Sequence, residues 1–218
     1  MAEKALGMIF ITGAARSGTS LTTKILQAHG LWLGSSGQVN DLYEHQMIRQ
    51  AVLKPMLAKV GADPLGQGPL PDMSKYRPDP NLRHRVEGYF DGGPEPWGYK
   101  DAKLTLTWPM WHAAFPDAKW IIVRRQSDDI IDSCLRTTFM KRYGKNRDAW
   151  NRWVMFHVKQ FQNMADAGVD VSHVWPADFI HAPMWFRSVA LRCGLPYDAD
   201  IVLRAIDPDR FKTKELTR

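Results

Sequence analysis

Only two cysteines, Cys134 and Cys193, occur in the 218 residues. Two thiols make no disulfide framework, and neither has metal-ligand spacing around it. A reducing, cytoplasmic setting is the expectation that follows. Apolar runs are short, and none approaches the roughly 18 residues of a membrane span. The opening "MAEKALGMIFITG" does not read as a signal peptide, because its apolar stretch is short and an acid precedes it. Internal repeats and low-complexity tracts are absent too. The length suits a single domain over residues 1–218.

What is present is ordinary in bulk and uneven in detail. Hydrophobic residues make up 44% and charged residues 24%, enough to bury a sizeable core. The net charge of +6 favours anionic partners in general, whether nucleic acid or a polyphosphorylated small molecule. A mildly basic surface with no specific partner accounts for the charge equally well.

Elements alternate along the chain. "MIFIT" (8–12) reads as a buried strand, followed by a glycine-rich loop and a helix that ends at Gly30. Residues 42–60 read as a helix bent at Pro55. Residues 61–98 hold seven of the 14 prolines and seven of the 16 glycines. This stretch reads as a long irregular insert that covers an active site. Strands are expected at "WGYKD" (97–101), "KWIIVRR" (119–125) and "VSHVW" (171–175), with helices at 104–114, from Ser127, at 147–167 and over "APMWFRSVALRCG". The helix at 147–167 carries Trp150, Trp153, Val154, His157, Phe161 and Met164 at core spacing. The order implies an α/β fold: a three-layer α/β/α sandwich with a mostly parallel central sheet, like that of P-loop nucleotide-binding proteins.

The loop "GAARSGTS" (13–20) has the glycine spacing of a phosphate-binding loop, Gly13-x-x-x-x-Gly18-x-Ser20. Backbone N–H groups and the positive end of the following helix converge there on an anion. Ser17, Thr19 and Ser20 add hydroxyls, and Arg16 adds a planar cation that can hold two oxygens. The loop lacks the usual lysine, since Thr19 occupies its place. The strand "KWIIV" ends in Arg124 and Arg125, where a metal–triphosphate site would have an aspartate. Metal-bound triphosphate chemistry is disfavoured on both counts, and no metal ligands are expected.

A second pair of anion-binding residues lies in "VRRQSDDIIDSCLR" (123–136). Arg125 leaves a strand end, and Ser133 lies two turns into the next helix. Together they suit a second phosphate, away from the first loop, although Arg125 could instead pair with Asp128 or Asp129. With both motifs in hand, the chain resembles the sulfotransferase family, whose donor is 3′-phosphoadenosine-5′-phosphosulfate (PAPS). "AARSGTSL" is similar to that family's 5′-phosphosulfate loop, and "KWIIVRRQSDDIIDSCLR" to its 3′-phosphate motif. The resemblance implies that Arg16, Ser17, Gly18, Thr19 and Ser20 hold the 5′ end and that Arg125 and Ser133 hold the 3′ phosphate. The product would be adenosine 3′,5′-bisphosphate (PAP). "NDLYEHQMIRQAVLKPML" is similar to an acid-bearing helix of bacterial members. The family's usual proline before the basic loop residue is Ala15 here, and its usual aromatic after the loop is Leu21. "RFKTK" (210–214) is a candidate source of further cations for the donor.

Sulfuryl transfer to a hydroxyl or amine needs a base and charge stabilisation on the leaving phosphate. Glu44 is the candidate base through its place in the acid-bearing segment, with His45 as the rival. Arg16 and Lys100, the latter at the end of "WGYK", are the candidate charge-stabilising groups. Two other readings stay open: a P-loop kinase for a small metabolite, and a non-catalytic nucleotide-binding module. The acceptor is unassigned.

Overall fold

A computed structural model describes residues 7–90, 92–142 and 146–206. Four strands form one sheet: β1 (Met8–Thr12), β2 (Trp97–Lys100), β3 (Lys119–Val123) and β4 (Val171–Val174). Their spatial order is β2-β1-β3-β4, and every neighbouring pair is parallel. Parallel strands need helical crossovers, and these cover both faces.

Alternation in β1 shows how. Met8 and Phe10 face one core cluster, with Tyr99, Trp120 and Ile122. Ile9 and Ile11 face the other, with Ile121, Val123 and Val174. The second face is packed by α1 (Thr19–Ala28), α8 (Pro176–His181), α9 (Arg187–Arg192) and α10 (Ala199–Ala205). The first face is packed by α2 (Gln46–Ile48), α3 (Lys54–Lys59), α4 (Leu82–Glu87) and α5 (Leu104–Ala114). A third cluster joins α6 (Ser127–Arg136) to α7 (Arg147–Asp166). The result is the three-layer arrangement expected from the alternating pattern. Both cysteines are buried, and burial pushes their thiols up, to about 12 for Cys134 and about 11 for Cys193.

Two segments differ from the sequence reading. The helix expected over 42–60 begins only at Gln46, and a π-helical stretch (Arg49–Leu53) separates α2 from α3. Pro55 has no N–H to offer Ala51. The backbone widens there, and the Lys54 N–H reaches back five residues to the Arg49 carbonyl. The insert at 61–98 is less irregular than its composition implies. It holds a short 3-10 turn (Met73–Lys75) and α4, and Leu82, Val86 and Phe90 anchor it in the core. Among the described residues, no helix is long and apolar enough to cross a membrane.

Every strand ends at the same edge, so the residues that follow β1, β2, β3 and β4 share one rim. Chain order reverses around β1, and open α/β sheets bind ligands at such a point. Phe10 supports this edge from below. It is fully buried and meets Trp111, Phe115 and Trp120 with ring centroids 5.4, 5.5 and 4.7 Å away. Phe10→Ala should cost about 3–5 kcal/mol of unfolding free energy, read as a lowered denaturant midpoint at unchanged m value.

Candidate active site

The loop after β1 is shaped by close approach. A Cβ at Gly13 would lie 2.4 Å from the Val123 carbonyl and 2.7 Å from Ser17 Oγ, so only glycine fits. The Ser17 N–H donates to the Ala14 carbonyl at 3.1 Å and closes the turn. Gly18 then caps α1 in the left-handed region, with φ 102° and no side-chain cap. Arg16 is also left-handed, at φ 75°. For an L residue this costs about 1–2 kcal/mol, the kind of strain found at ligand-binding loops. The first-turn N–H groups of Thr19, Ser20 and Leu21 have no partner within the helix, as at any helix start. Ser17 is fully buried, and its Oγ has no hydrogen bond.

The loop after β1 and the segment from the end of β3 into α6 meet in space. Arg16 Nε donates to Ser133 Oγ at 2.9 Å, and Arg125 Nη1 donates to the Arg16 carbonyl at 3.1 Å. Arg125 also lies 3.7 Å from Asp129 Oδ2, the pairing that the sequence left open, while Asp128 takes Arg147 instead. Both proposed phosphate grips therefore form one continuous cationic rim. Beside Arg125 a cavity of about 270 Å³ is lined by Arg124, Gln126, Ser127 and Trp175. The Arg124 guanidinium lies over the Phe161 and Trp175 rings, 5.0 and 5.6 Å from their centroids.

Lys100 and Glu44 meet on the other side of the loop. A turn folded around Asn40 positions Glu44: Asn40 Oδ1 accepts from the N–H groups of Leu42 and Glu44, at 2.9 and 3.0 Å. Tyr43 within it is left-handed, at φ 63°. The Lys100 ammonium donates to Glu44 Oε1 at 3.2 Å, to the Leu42 carbonyl at 2.9 Å and to Ser20 Oγ at 3.2 Å. Burial lowers the affinity of Lys100 for its proton, opposed by the charges of Glu44 and Asp101. Arg49, which opens the π-helical stretch, reaches Glu44 Oε2 at 3.4 Å and Asp101 Oδ2 at 4.0 Å. Asp101 is fully buried and holds Lys103 at 2.7 Å.

A cavity of about 150 Å³ opens where these groups converge. Arg16, Thr19, Ser20, Glu44, Arg49 and Lys100 form its polar side, and Leu65, Leu106, Phe139, Met140 and Trp153 its apolar side. Leu65, Gly66 and Gln67 bring the proline- and glycine-rich insert over it. Two bonds pin them there: Trp153 Nε1 to the Gly66 carbonyl at 3.0 Å, and Gln67 Nε2 to the Phe139 carbonyl at 2.8 Å. His45 does not line this cavity. Its Nδ1 accepts from the Ile48 N–H at 3.4 Å as a helix cap, and its ring packs on Tyr89 and Phe90. "RFKTK" lies outside the described residues.

Four polar or charged cavity residues had no assigned role in the sequence: Arg49, Gln67, Lys103 and His157. Only His157 carried a signal. It is the one polar residue among the buried positions of α7. Its Nδ1 lies 2.9 Å from the Trp153 carbonyl, and burial pushes its pKa down to about 4. Above pH 6.5 the imidazole is neutral in both folded and unfolded chains. Between 6.5 and 4 only the unfolded chain takes up the proton, so stability falls as pH falls. From the shift to about 4, His157 accounts for about 3 kcal/mol lost across that window. His157→Gln should flatten the pH dependence of the unfolding free energy between pH 6.5 and 4 relative to the wild type, in denaturant titrations.

No family model matches the chain, and no curated protein matches it in sequence. Solved structures do. Sulfotransferase STF9 from Mycobacterium avium is 13% identical over 90% of this chain and 66% of its own, with a TM-score of 0.55. Sulfotransferase STF1 from Mycobacterium tuberculosis H37Rv is 18% identical over 90% and 69%, with a TM-score of 0.47. A retinol dehydratase in complex with androsterone and inactive cofactor PAP is 14% identical over 94% and 64%, with a TM-score of 0.48. The chain thus spans about two thirds of the length of each. The likeness to STF9 is one of fold: this chain shares the P-loop-like α/β architecture of that sulfotransferase.

Proposed function

We propose that the chain is a PAPS-dependent sulfotransferase that moves a sulfuryl group onto a hydroxyl or amine. The observation that carries this reading is the Glu44–Lys100 pair, buried against Ser20 of the anion loop in a cavity that Arg16 also lines. The fold shared with STF9 supports it.

The residues present fit such a donor. Open N–H groups of Thr19, Ser20 and Leu21, the left-handed Gly18 and the Arg16 cation suit its 5′ phosphosulfate, and the buried, unbonded Ser17 hydroxyl lies within the same loop. Arg125 and Ser133 suit its 3′ phosphate, and the cavity beside Arg125 has room for the nucleoside. The donor supplies the sulfuryl group; the chain supplies charge, position and a base. Glu44 Oε2 makes no hydrogen bond, is ion-paired with Arg49 at 3.4 Å, and is the oxygen we assign to take the acceptor's proton. As the acceptor oxygen or nitrogen bonds to sulfur, the bond from sulfur to the phosphate oxygen breaks. Arg16, Lys100 and the loop N–H groups offset the negative charge that gathers on that oxygen. Lys100 holds Glu44 in the free protein. If it turns toward an arriving anion, Glu44 Oε1 is freed from the ammonium.

Thermal unfolding with PAP, and with ATP or GTP with and without Mg²⁺, tests this reading against the kinase and binding-module alternatives. PAP at a hundred times its Kd should stabilise the chain by about 2.7 kcal/mol, a rise of roughly 5–10 °C in Tm, without metal. Arg16→Ala and Arg125→Ala should each abolish most of that rise. Glu44→Gln should keep it and remove sulfuryl transfer from PAPS. No shift at millimolar PAP, or a shift only with Mg²⁺ and ATP, would overturn the proposal.

A further inference from the structure

The apolar side of the active-site cavity is interrupted by two polar side chains, and both are built to accept hydrogen bonds. His157 and Gln67 are 1% and 2% exposed. A backbone carbonyl can only accept, so the Trp153 carbonyl fixes the His157 proton on Nδ1. Nε2 is left with its lone pair on a residue that lines the cavity. In the same way the Phe139 carbonyl takes the Gln67 Nε2 amide, and Gln67 Oε1 is left buried without a partner. The ring of His157 is also clamped, with the Trp153 ring centroid 4.0 Å away. Neither group can turn round to become a donor without breaking its own bond. An acceptor atom left bare in a buried wall costs about 1–3 kcal/mol, a cost that a bound donor removes.

Charge narrows the ligand further. Four cations line the cavity, Arg16, Arg49, Lys100 and Lys103. They are offset by Glu44 and, behind the wall, by Asp101. That surplus disfavours an ammonium group. The lone pairs of His157 and Gln67 disfavour a carboxylate or phosphate at their end. Size narrows it too: the cavity of about 150 Å³ suits a small molecule or a terminus, beside the apolar side chains of Leu65, Leu106, Phe139, Met140 and Trp153.

We propose that His157, supported by Gln67, selects the acceptor: an uncharged, compact molecule or ring terminus that presents a second O–H or N–H donor besides the group that is sulfated. His157 acts here as a specificity-determining contact to the acceptor and not as the base. This proposal rests on the sulfotransferase reading for the identity of the cavity as an acceptor site, but not for its polarity.

The test uses matched probes, resorcinol against 3-methoxyphenol and 3-aminophenol against 3-fluorophenol. Each is titrated by calorimetry into the full chain, with and without PAP. The donor-bearing member of each pair should bind about tenfold tighter, and His157→Phe should reduce that preference to less than about twofold. In protein labelled with ¹⁵N-histidine, the unprotonated Nε2 resonance of His157 should move on adding resorcinol and not on adding 3-methoxyphenol. This readout needs no variant and is independent of any effect of His157→Phe on folding. Equal affinities within pairs, a preference that survives His157→Phe, an unmoved Nε2 resonance, or no probe binding would each overturn the proposal. A chain that shows the preference but ignores PAP would instead overturn the sulfotransferase reading and leave the donor-selective wall standing.

Discussion

A buried ammonium organises this molecule. Lys100 is 3% exposed, and taking an ammonium out of water costs several kcal/mol unless oxygens replace the lost hydration. It has three protons and finds three oxygens, on Glu44, Leu42 and Ser20. Those oxygens come from the turn before α2 and from the first turn of α1, and Lys100 itself ends β2. Satisfying one cation thus brings the anion loop, the candidate base and the strand edge to one point.

The rest of the rim follows from sheet order. All four strands run the same way, so their following residues share an edge. The Arg16 backbone carbonyl and side chain then link to Arg125 and Ser133, which lie more than a hundred residues later. Electrostatics here is cumulative. The cations act on one region that Leu65 of the insert and Trp153 of α7 also line, and lower local polarity strengthens each interaction.

Much of this was legible along the chain. "MIFIT", "WGYK" and "KWIIV" are short apolar runs next to turns, and all three are strands within a residue or two of the expected bounds. The glycine loop was legible because its geometry is local: a strand end, two glycines and a helix start suffice. The helix over 147–167 was legible because its apolar stripe persists for five turns. The insert misled in part. Its prolines and glycines announce turns, but Leu82, Val86 and Phe90 within it were too sparse to reveal a short helix whose stability comes from packing. Spacing around Pro55 did not reveal that the backbone meets the missing N–H by widening into a π-helical stretch.

The sequence alone determined the fold class, the glycine loop between β1 and α1, and the strand-end arginine with a serine two turns into the next helix, because each depends on spacing between near neighbours. Tertiary structure decided the chemistry of the cavity. Glu44 looks like any acid at a helix start until Lys100 arrives from 56 residues away, and Asp101 like a free strand-end acid until Lys103 and Arg49 enclose it. His157 looks like one more position of an apolar stripe until the Trp153 carbonyl fixes its proton and the insert closes over it. Burial and hydrogen-bond polarity are properties of a surrounding shell, and that shell is assembled from segments far apart in the chain.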